Sequence, residues 1–470
     1  MSKATRCGAA ARGATASHDS RTVQGAHIQH NASAQHDFRT QHRAYDARVY
    51  YERCTQCPRR CGAQRAAKDT RAAQSTQSET SETHTLPNAT TSAQHHASAA
   101  LEAPATAPPF GTTAAQQTPP AATAAITCSQ HVPRRAASTS RRAAGFCGES
   151  DEIRIASAGL HFGEEPLVTA RGGSGTIFFT GCTLRCAFCQ NYQISQNGMG
   201  AVVPQEEFVA ICVRLQEAGA ENINLVTGSH HIPRIAAAVR AAQNAGVSIP
   251  FCWNSSAYES VEMLELLKDI VSIWLPDLKT LSSALSATLF GARDYPQTAT
   301  RAISWMIEHF PLKISSSAAR ENTCPKRDTT KTQQHAPESN TSHEKIERGV
   351  IVRHLFLPGH FAETCDTLQW LKQHADGRAI VSLMSQYTPV PFREKNAPNK
   401  KRLHALSAIE NRPVNKTEDR DLRDLIDAYD FSYLFYQELS DDTSWLPDFT
   451  QTAPFPNALS KPLWHWSTAV

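Results

Sequence analysis

The sequence predicts an α/β protein, a parallel sheet covered by helices in a full or partial (β/α) barrel. An open, doubly wound sheet is the competing arrangement. Three observations carry this. Strand-like and helix-like segments alternate six times within residues 144–440. The strand segments are short apolar runs, as expected of parallel strands covered on both faces. The helix segments carry apolar residues at helical spacing, with start and stop signals at their ends.

The elements follow in order. GTIFFTG (175–181) is an apolar run bounded by glycines. PQEEFVAICVRLQEAG (204–219) opens with Pro204, places acids in its first turn and stops at Gly219. NINLVT (222–227) reads as a strand and HIPRIAAAVRAAQNAG (231–246) as a helix. SIPFCWN (248–254) is a strand, ESVEMLELLKD (259–269) a helix, and IVSIWLPDLK (270–279) a strand before a helix near 282–290. GVIVRHLFLP (349–358), FAETCDTLQWLKQHA (361–375) and AIVSLM (379–384) repeat the alternation. DLRDLIDAYD (421–430) is the last helix, ahead of SYLFYQEL (432–439).

The remainder is of different character. Of 470 residues, 40% are hydrophobic and 19% charged, low for a packed chain of this size. Residues 1–48 and 66–143 explain those averages, being rich in Ala, Ser, Thr, Gln and Pro. Such tracts bury too little apolar surface to offset their ordering entropy, so both are expected to be disordered. Shorter insertions of this kind are expected at 314–346 and 392–418, and a tail at 441–470. The absence of any 18-residue apolar run argues against a membrane span. The first 30 residues lack an apolar centre, so a secretory signal is not expected. A net charge of +3 gives no signal for nucleic acid. Thirteen cysteines without such a signal point to metal or redox chemistry, in a reducing cytoplasm.

The first strand runs directly into Cys182-Thr-Leu-Arg-Cys186-Ala-Phe-Cys189, spaced C-x3-C-x2-C. Three thiolates within eight residues can wrap one small inorganic group. Iron–sulfur clusters normally take four cysteines, so three local ones leave one iron open. The loop lies at the carboxyl end of a strand, where parallel α/β folds place their chemistry. The competing reading is a structural zinc completed from elsewhere.

These residues resemble the radical S-adenosylmethionine (radical SAM) superfamily. The stretch GSGTIFFTGCTLRCAFCQNYQIS (173–195) is similar to the branch related to pyruvate formate-lyase activating enzyme, and especially its activating-enzyme-like cousins. NINLVTGSHH, PFCWNSSAYE, WLPDLK, VRHLFLPGH and SLMSQY extend the resemblance in the same order. It implies a partial (β/α)6 TIM-like barrel holding a [4Fe-4S] cluster on Cys182, Cys186 and Cys189, with S-adenosylmethionine on the fourth iron. The implied reaction is reductive cleavage of S-adenosylmethionine to a 5′-deoxyadenosyl radical that abstracts hydrogen, with a flavodoxin- or ferredoxin-like donor of low potential. Phe188 is implied near the adenine.

Other positions are weighed singly. Asp277 and Lys279 share one strand face; the resemblance implies cofactor contact, the packing alternative an internal ion pair. Arg353 on an apolar strand needs an anion, either the cofactor carboxylate or Asp277. His354, on the opposite face, reads as a packed residue. Where many relatives carry Gly-Gly-Glu, this chain reads Thr227-Gly228-Ser229-His230-His231. Gly228 still permits close backbone approach, but the acid is absent. The two histidines are expected at the surface. Asn254 is a candidate polar contact to the cofactor, or a turn former.

A second group, Cys54-Thr-Gln-Cys57-Pro-Arg-Arg-Cys61, is completed by Cys147 once residues 66–143 are looped out. Loop closure costs only about 0.6 kcal/mol per doubling of length. Zinc, a second iron–sulfur cluster and metal-free thiols are the three readings. Cys212, Cys252 and Cys365 are expected as buried small hydrophobes, and KNAPNKKR (395–402) as a solvated loop. Three functions compete: activation of a partner protein at glycine, radical modification of a small molecule or RNA, and a non-catalytic metal-binding scaffold.

Overall fold

The computed structural model describes residues 47–65, 145–315, 344–392, 397–440, 442–443 and 445–469. The expected disordered stretches 66–143 and most of 1–48 and 314–346 lie outside the described residues. The strands are β1 Arg154–His161, β2 Ser174–Phe179, β3 Ala201–Val202, β4 Ile223–Val226, β5 Phe251–Ser255, β6 Ile273–Pro276, β7 Lys313–Ser315, β8 Lys345–Leu355, β9 Ile380–Met384, β10 Leu434–Gln437 and β11 Ser460–His465. The helices are α1 Val49–Glu52, α2 Pro166–Thr169, α3 Tyr192–Ser195, α4 Gln205–Glu217, α5 Ile232–Asn244, α6 Val261–Glu265, α7 Ser283–Phe290, α8 Tyr295–His309, α9 Phe361–His374, α10 Ala397–Leu406 and α11 Lys416–Tyr429.

The strand order is β10-β9-β8-β6-β5-β4-β2-β1-β11. From β2 to β10 every neighbouring pair is parallel. The order follows the chain without reversing, which excludes the doubly wound alternative. Crossovers of one hand then place the crossover helices on one face, giving the partial barrel. Its outer face is the main core, where Phe179, Leu225, Trp253, Trp274, Val352 and Val381 meet the helices. The inner face holds Cys252, Ile273, Leu275, Ile351 and Ile380, and Val168 of α2 packs among them.

Four differences from the sequence reading have local causes. β1, RIASAGLH, is too rich in small residues to announce a strand, yet it pairs antiparallel with β2 and β11. The expected tail at 441–470 supplies β11, and its Phe449 and Phe455 lie 5.5 and 5.3 Å from the Phe178 ring. The expected insertion at 392–418 contains α10 and the start of α11. There the Asn415 side chain accepts from the Thr417 and Glu418 amides while Glu418 reaches back, a capping box that starts α11 before its apolar stripe. The ends of the insertion at 314–346 are pinned too, because β7 pairs antiparallel with β8.

Gly159 makes the β1–β11 pairing possible, since a Cβ there would lie 2.5 Å from the Lys461 carbonyl oxygen. Gly159→Val is expected to lower stability by about 1–3 kcal/mol, read by urea denaturation. Amide exchange should rise selectively across Ser460–His465.

Candidate functional site

Strand β2 ends at Phe179, and the chain turns at Gly181 with φ +76°. A Cβ there would meet the Glu149 side chain at 2.4 Å and the Cys147 carbonyl oxygen at 3.0 Å. The loop that follows carries Cys182, Cys186 and Cys189, all free thiols; the first two are buried and the third half-buried. The Cys182 sulfur accepts from the Leu184 and Arg185 amides at 3.3 and 3.5 Å. The Cys189 sulfur lies 3.3 Å from Ser195 Oγ. Cys186 feels the charges of Lys279, Cys182, Cys189 and Asp277, and burial pushes its thiol up. Burial pushes Cys189 up as well, against the Ser195 hydrogen bond. A metal centre reverses that preference, because thiolate is the ligand form. Three free sulfurs within mutual electrostatic reach fit an iron–sulfur cluster. Among the described residues no group of His, Cys, Asp or Glu stands preformed for a single metal ion.

The barrel ends supply the surroundings. Lys279 Nζ pairs with Asp277 Oδ2 at 2.7 Å. Tyr295 Oη donates to the Asp277 carbonyl at 2.8 Å and accepts from the Lys279 amide at 2.9 Å. Burial opposes the Lys279 charge, but Asp277 and Cys186 outweigh it and hold the ammonium protonated. The internal ion pair therefore exists, and it borders the cysteine loop. Phe188 packs edge-on against Phe290 and Tyr387 at 5.9 and 6.2 Å. Asn254 stands half-buried at the end of β5, its carbonyl accepting from the Thr227 amide at 2.9 Å.

Several expectations are corrected. The Arg353 guanidinium pairs with Glu165, with Nε–Oε1 at 2.9 Å, and with Glu164, rather than with the Asp277 side chain. The chain leaving β1 carries both carboxylates to the inner face ahead of α2, which sequence spacing cannot show. Arg353 outweighs burial at Glu165 and holds that carboxyl below the usual range. At Gly228 a Cβ would lie 2.6 Å from Ile235 and 2.9 Å from Trp253, so the turn packs closely where only glycine fits. His230 and His231 are buried, not superficial, with ring centroids 4.3 Å apart. Burial, reinforced by Arg65, lowers His230 to about 3, so it is neutral. Its Nε2 contacts the Thr180 carbonyl at 2.7 Å, at the root of the cysteine loop. His354 is packed, its ring nitrogens bonded to the Leu278 carbonyl and Thr364.

Arg402 belongs to the run read as a solvated loop, yet it is buried. It donates to Gln196 Oε1 at 2.9 Å and to Asn197 Oδ1 at 3.2 Å, just beyond Cys189. Glu259 was also not singled out. Its carboxyl accepts from Ser229 Oγ and neighbours Ser255, Trp253 and Asp277. It thus brings an acid from the β5 end to the turn that lacks one of its own. Burial raises it to about 7.

The amino-terminal cysteines also gather. Cys57 feels the charges of Cys147, Cys54 and Cys61, and burial pushes its thiol up to about 12. The Cys61 and Cys147 sulfurs both flank Gly145, 3.2 and 3.5 Å from where a Cβ would stand.

Comparison with known proteins places this architecture. Residues 176–316 match the model of the Radical SAM superfamily, so the chain carries a radical SAM domain. That domain implies a [4Fe-4S] cluster and S-adenosylmethionine, and Cys182, Cys186 and Cys189 lie within it. An uncharacterized protein of Methanocaldococcus jannaschii is 27% identical over 273 residues, 57% of this chain and 67% of that one. The solved structure of SuiB from Streptococcus suis bound to precursor peptide SuiA is 13% identical with a TM-score of 0.36. The match covers 55% of this chain and 47% of that chain, so the chain spans about half of SuiB's length. A domain of pyruvate-formate lyase-activating enzyme from Bacteroides vulgatus is 10% identical with a TM-score of 0.26, covering 44% of this chain and 91% of that one. No helix among the described residues is long and apolar enough to cross a membrane.

Arg353→Met leaves two buried glutamates without their cation. Chemical denaturation should show a loss of about 3–5 kcal/mol, as for other broken buried pairs. Glu259 supplies a pH test. Its folded value, about 7, lies above the ordinary 4.5, so the folded state binds more protons across that interval. Its contribution to stability therefore falls as pH rises from 4.5 to 7. Urea midpoints at pH 5 and 8 should fall further for the wild type than for Glu259→Gln, with Asp277 as the nearest other acid in both.

Proposed function

We propose that this protein is a radical SAM enzyme of the activating-enzyme type. Its substrate is then a glycine residue in a partner protein, and its electron donor is flavodoxin- or ferredoxin-like. The observation that carries the reading is the Cys182, Cys186 and Cys189 trio, two buried and one half-buried, at the carboxyl end of β2, bordered by the Asp277–Lys279 pair. Cys182, Cys186 and Cys189 would hold a [4Fe-4S] cluster there, which together with S-adenosylmethionine would supply radical hydrogen-abstraction chemistry.

This chain's own residues orient and exclude. Lys279 and Arg402 set positive charge beside Cys186 and Cys189, which favours an anionic thiolate-bound group. Asp277, Asn254 and Glu259 are the polar groups from the ends of β5 and β6 available to a cofactor's amino or ribose groups. Phe188, backed by Phe290 and Tyr387, is the apolar surface offered to an adenine. Gly228 acts indirectly, seating its turn against Trp253. Arg353 braces the inner face through Glu164 and Glu165 rather than touching cofactor. A reducing cytoplasm belongs to the same reading.

The test is anaerobic reconstitution with iron and sulfide, then assay of 5′-deoxyadenosine after adding reductant and S-adenosylmethionine. Cys186→Ala is expected to lower product by at least about 100-fold and to alter the Mössbauer spectrum, because one iron loses its thiolate. Unchanged turnover and spectrum would defeat the reading. A glycyl-radical EPR signal in a co-expressed partner separates glycine activation from modification of a small molecule or RNA.

A further inference from the structure

We infer that Cys54, Cys57, Cys61 and Cys147 bind one iron–sulfur cluster, a group larger than a single metal ion, and that this centre clamps the loop bearing Cys182, Cys186 and Cys189. The consequence for that loop rests on the proposed catalytic reading; the metal site itself does not.

The donor set is complete and of one kind. All four thiols are free, and Cys54, Cys57 and Cys147 are buried while Cys61 is exposed. The Cys61 thiol is within hydrogen-bond reach of Cys54, and the Cys61 and Cys147 sulfurs both lie against Gly145. Arg65 Nη1 points at the Cys54 sulfur from 3.5 Å, a donor suited to a thiolate. Backbone turns set the spacing: the Arg60 amide donates to the Cys57 carbonyl, and the Gly62 amide to the Cys54 carbonyl, each at 2.9 Å. Arg60 and Gly62 both have positive φ, at +40° and +65°. Residues 47–65 contain a single helical turn, α1, and otherwise turns. So short a segment has little apolar surface of its own to hold it, and small folds of this kind are commonly stapled by metal.

The clamp is visible in the bonds leaving the centre. The Cys147 carbonyl accepts from the Cys182 amide at 3.4 Å, so a ligand of one centre bonds directly to a ligand of the other. Arg59 sits between Cys57 and Cys61. Its guanidinium donates to the Thr183 carbonyl at 2.9 Å, inside the catalytic loop, and to the Phe290 and Gly291 carbonyls at the end of α7. Phe146, beside Cys147, stacks on that guanidinium at 3.9 Å and accepts from Arg185 in the same loop at 3.1 Å. Arg65 fastens the other side, donating to the Glu149 carbonyl at 2.9 Å and the His230 carbonyl at 3.0 Å. Ligation at Cys57, Cys61 and Cys147 would fix Arg59, Phe146 and the accepting carbonyl together. Binding exchanges four thiol protons for the metal charge, with no oxidant or reductant needed.

The experiment is metal analysis of the full chain, purified without oxygen, beside a variant carrying Cys182→Ala, Cys186→Ala and Cys189→Ala. That variant is expected to keep about four irons with matching sulfide per chain. Adding Cys57→Ser and Cys147→Ser should remove them. A triple variant with no bound metal overturns the site, whatever the wild type does. A triple variant with metal, beside a wild type that never cleaves S-adenosylmethionine, would sink the catalytic reading and leave the site standing. The clamp is read separately. Arg59→Lys cannot span three carbonyls. It should keep the amino-terminal metal yet at least halve the iron held by the catalytic trio and change the EPR signal of its reduced cluster. Cys57→Ser should do the same with the metal lost. Full iron and an unaltered signal in both variants would overturn the clamp.

Discussion

The site hangs on one constraint: a loop without regular structure must carry three largely shielded sulfurs in fixed positions. Backbone polar groups in such a loop need partners outside the sheet ladder. Here they come from remote parts of the chain. Cys147 accepts from the Cys182 amide, Arg59 caps the Thr183 carbonyl and Gln196 donates to the Cys186 carbonyl. Gly181 is required at the loop entrance because Glu149 and the Cys147 carbonyl fill the space a side chain would use.

Buried charge organises the remainder. The inner face holds Arg353 with Glu164 and Glu165, a group whose net charge is carried by opposed partners. The barrel end holds Asp277 with Lys279, and Glu259 shielded by Ser229. Burial costs each of these groups solvation, and each is met by a partner of opposite sign or a hydrogen-bond donor. The two kinds of group divide the labour: the glutamate–arginine set ties β1's outgoing chain to β8, while the aspartate–lysine pair faces the cysteines.

Much of the architecture was legible because it depends on local pattern. Apolar runs such as NINLV and IVSLM need no distant information to read as buried parallel strands, and Gly219 and Gly246 mark helix ends by themselves. β1 was not legible, since Ala, Ser and Gly say little about strand pairing until a partner backbone arrives. Nor was β11, whose pairing with β1 joins residues three hundred positions apart in order of magnitude. Of the site, the cysteine trio stood out by spacing. Glu259 and Arg402 did not, because a charged residue in a loop reads as solvated unless its burial is known.

By itself the sequence determined the alternation of strands and helices, the cysteine loop at the end of the first apolar strand, and the second cysteine group across a long low-complexity tract. These are properties of neighbours along the chain, set by periodicity and ligand spacing. Only the tertiary structure decided which carboxylates pair with Arg353, that His230 and His231 are buried neutral rings, and that Cys147 and Arg59 meet the cysteine loop. Charge pairing and desolvation depend on which surfaces meet in space, and spacing along a chain carries no record of that.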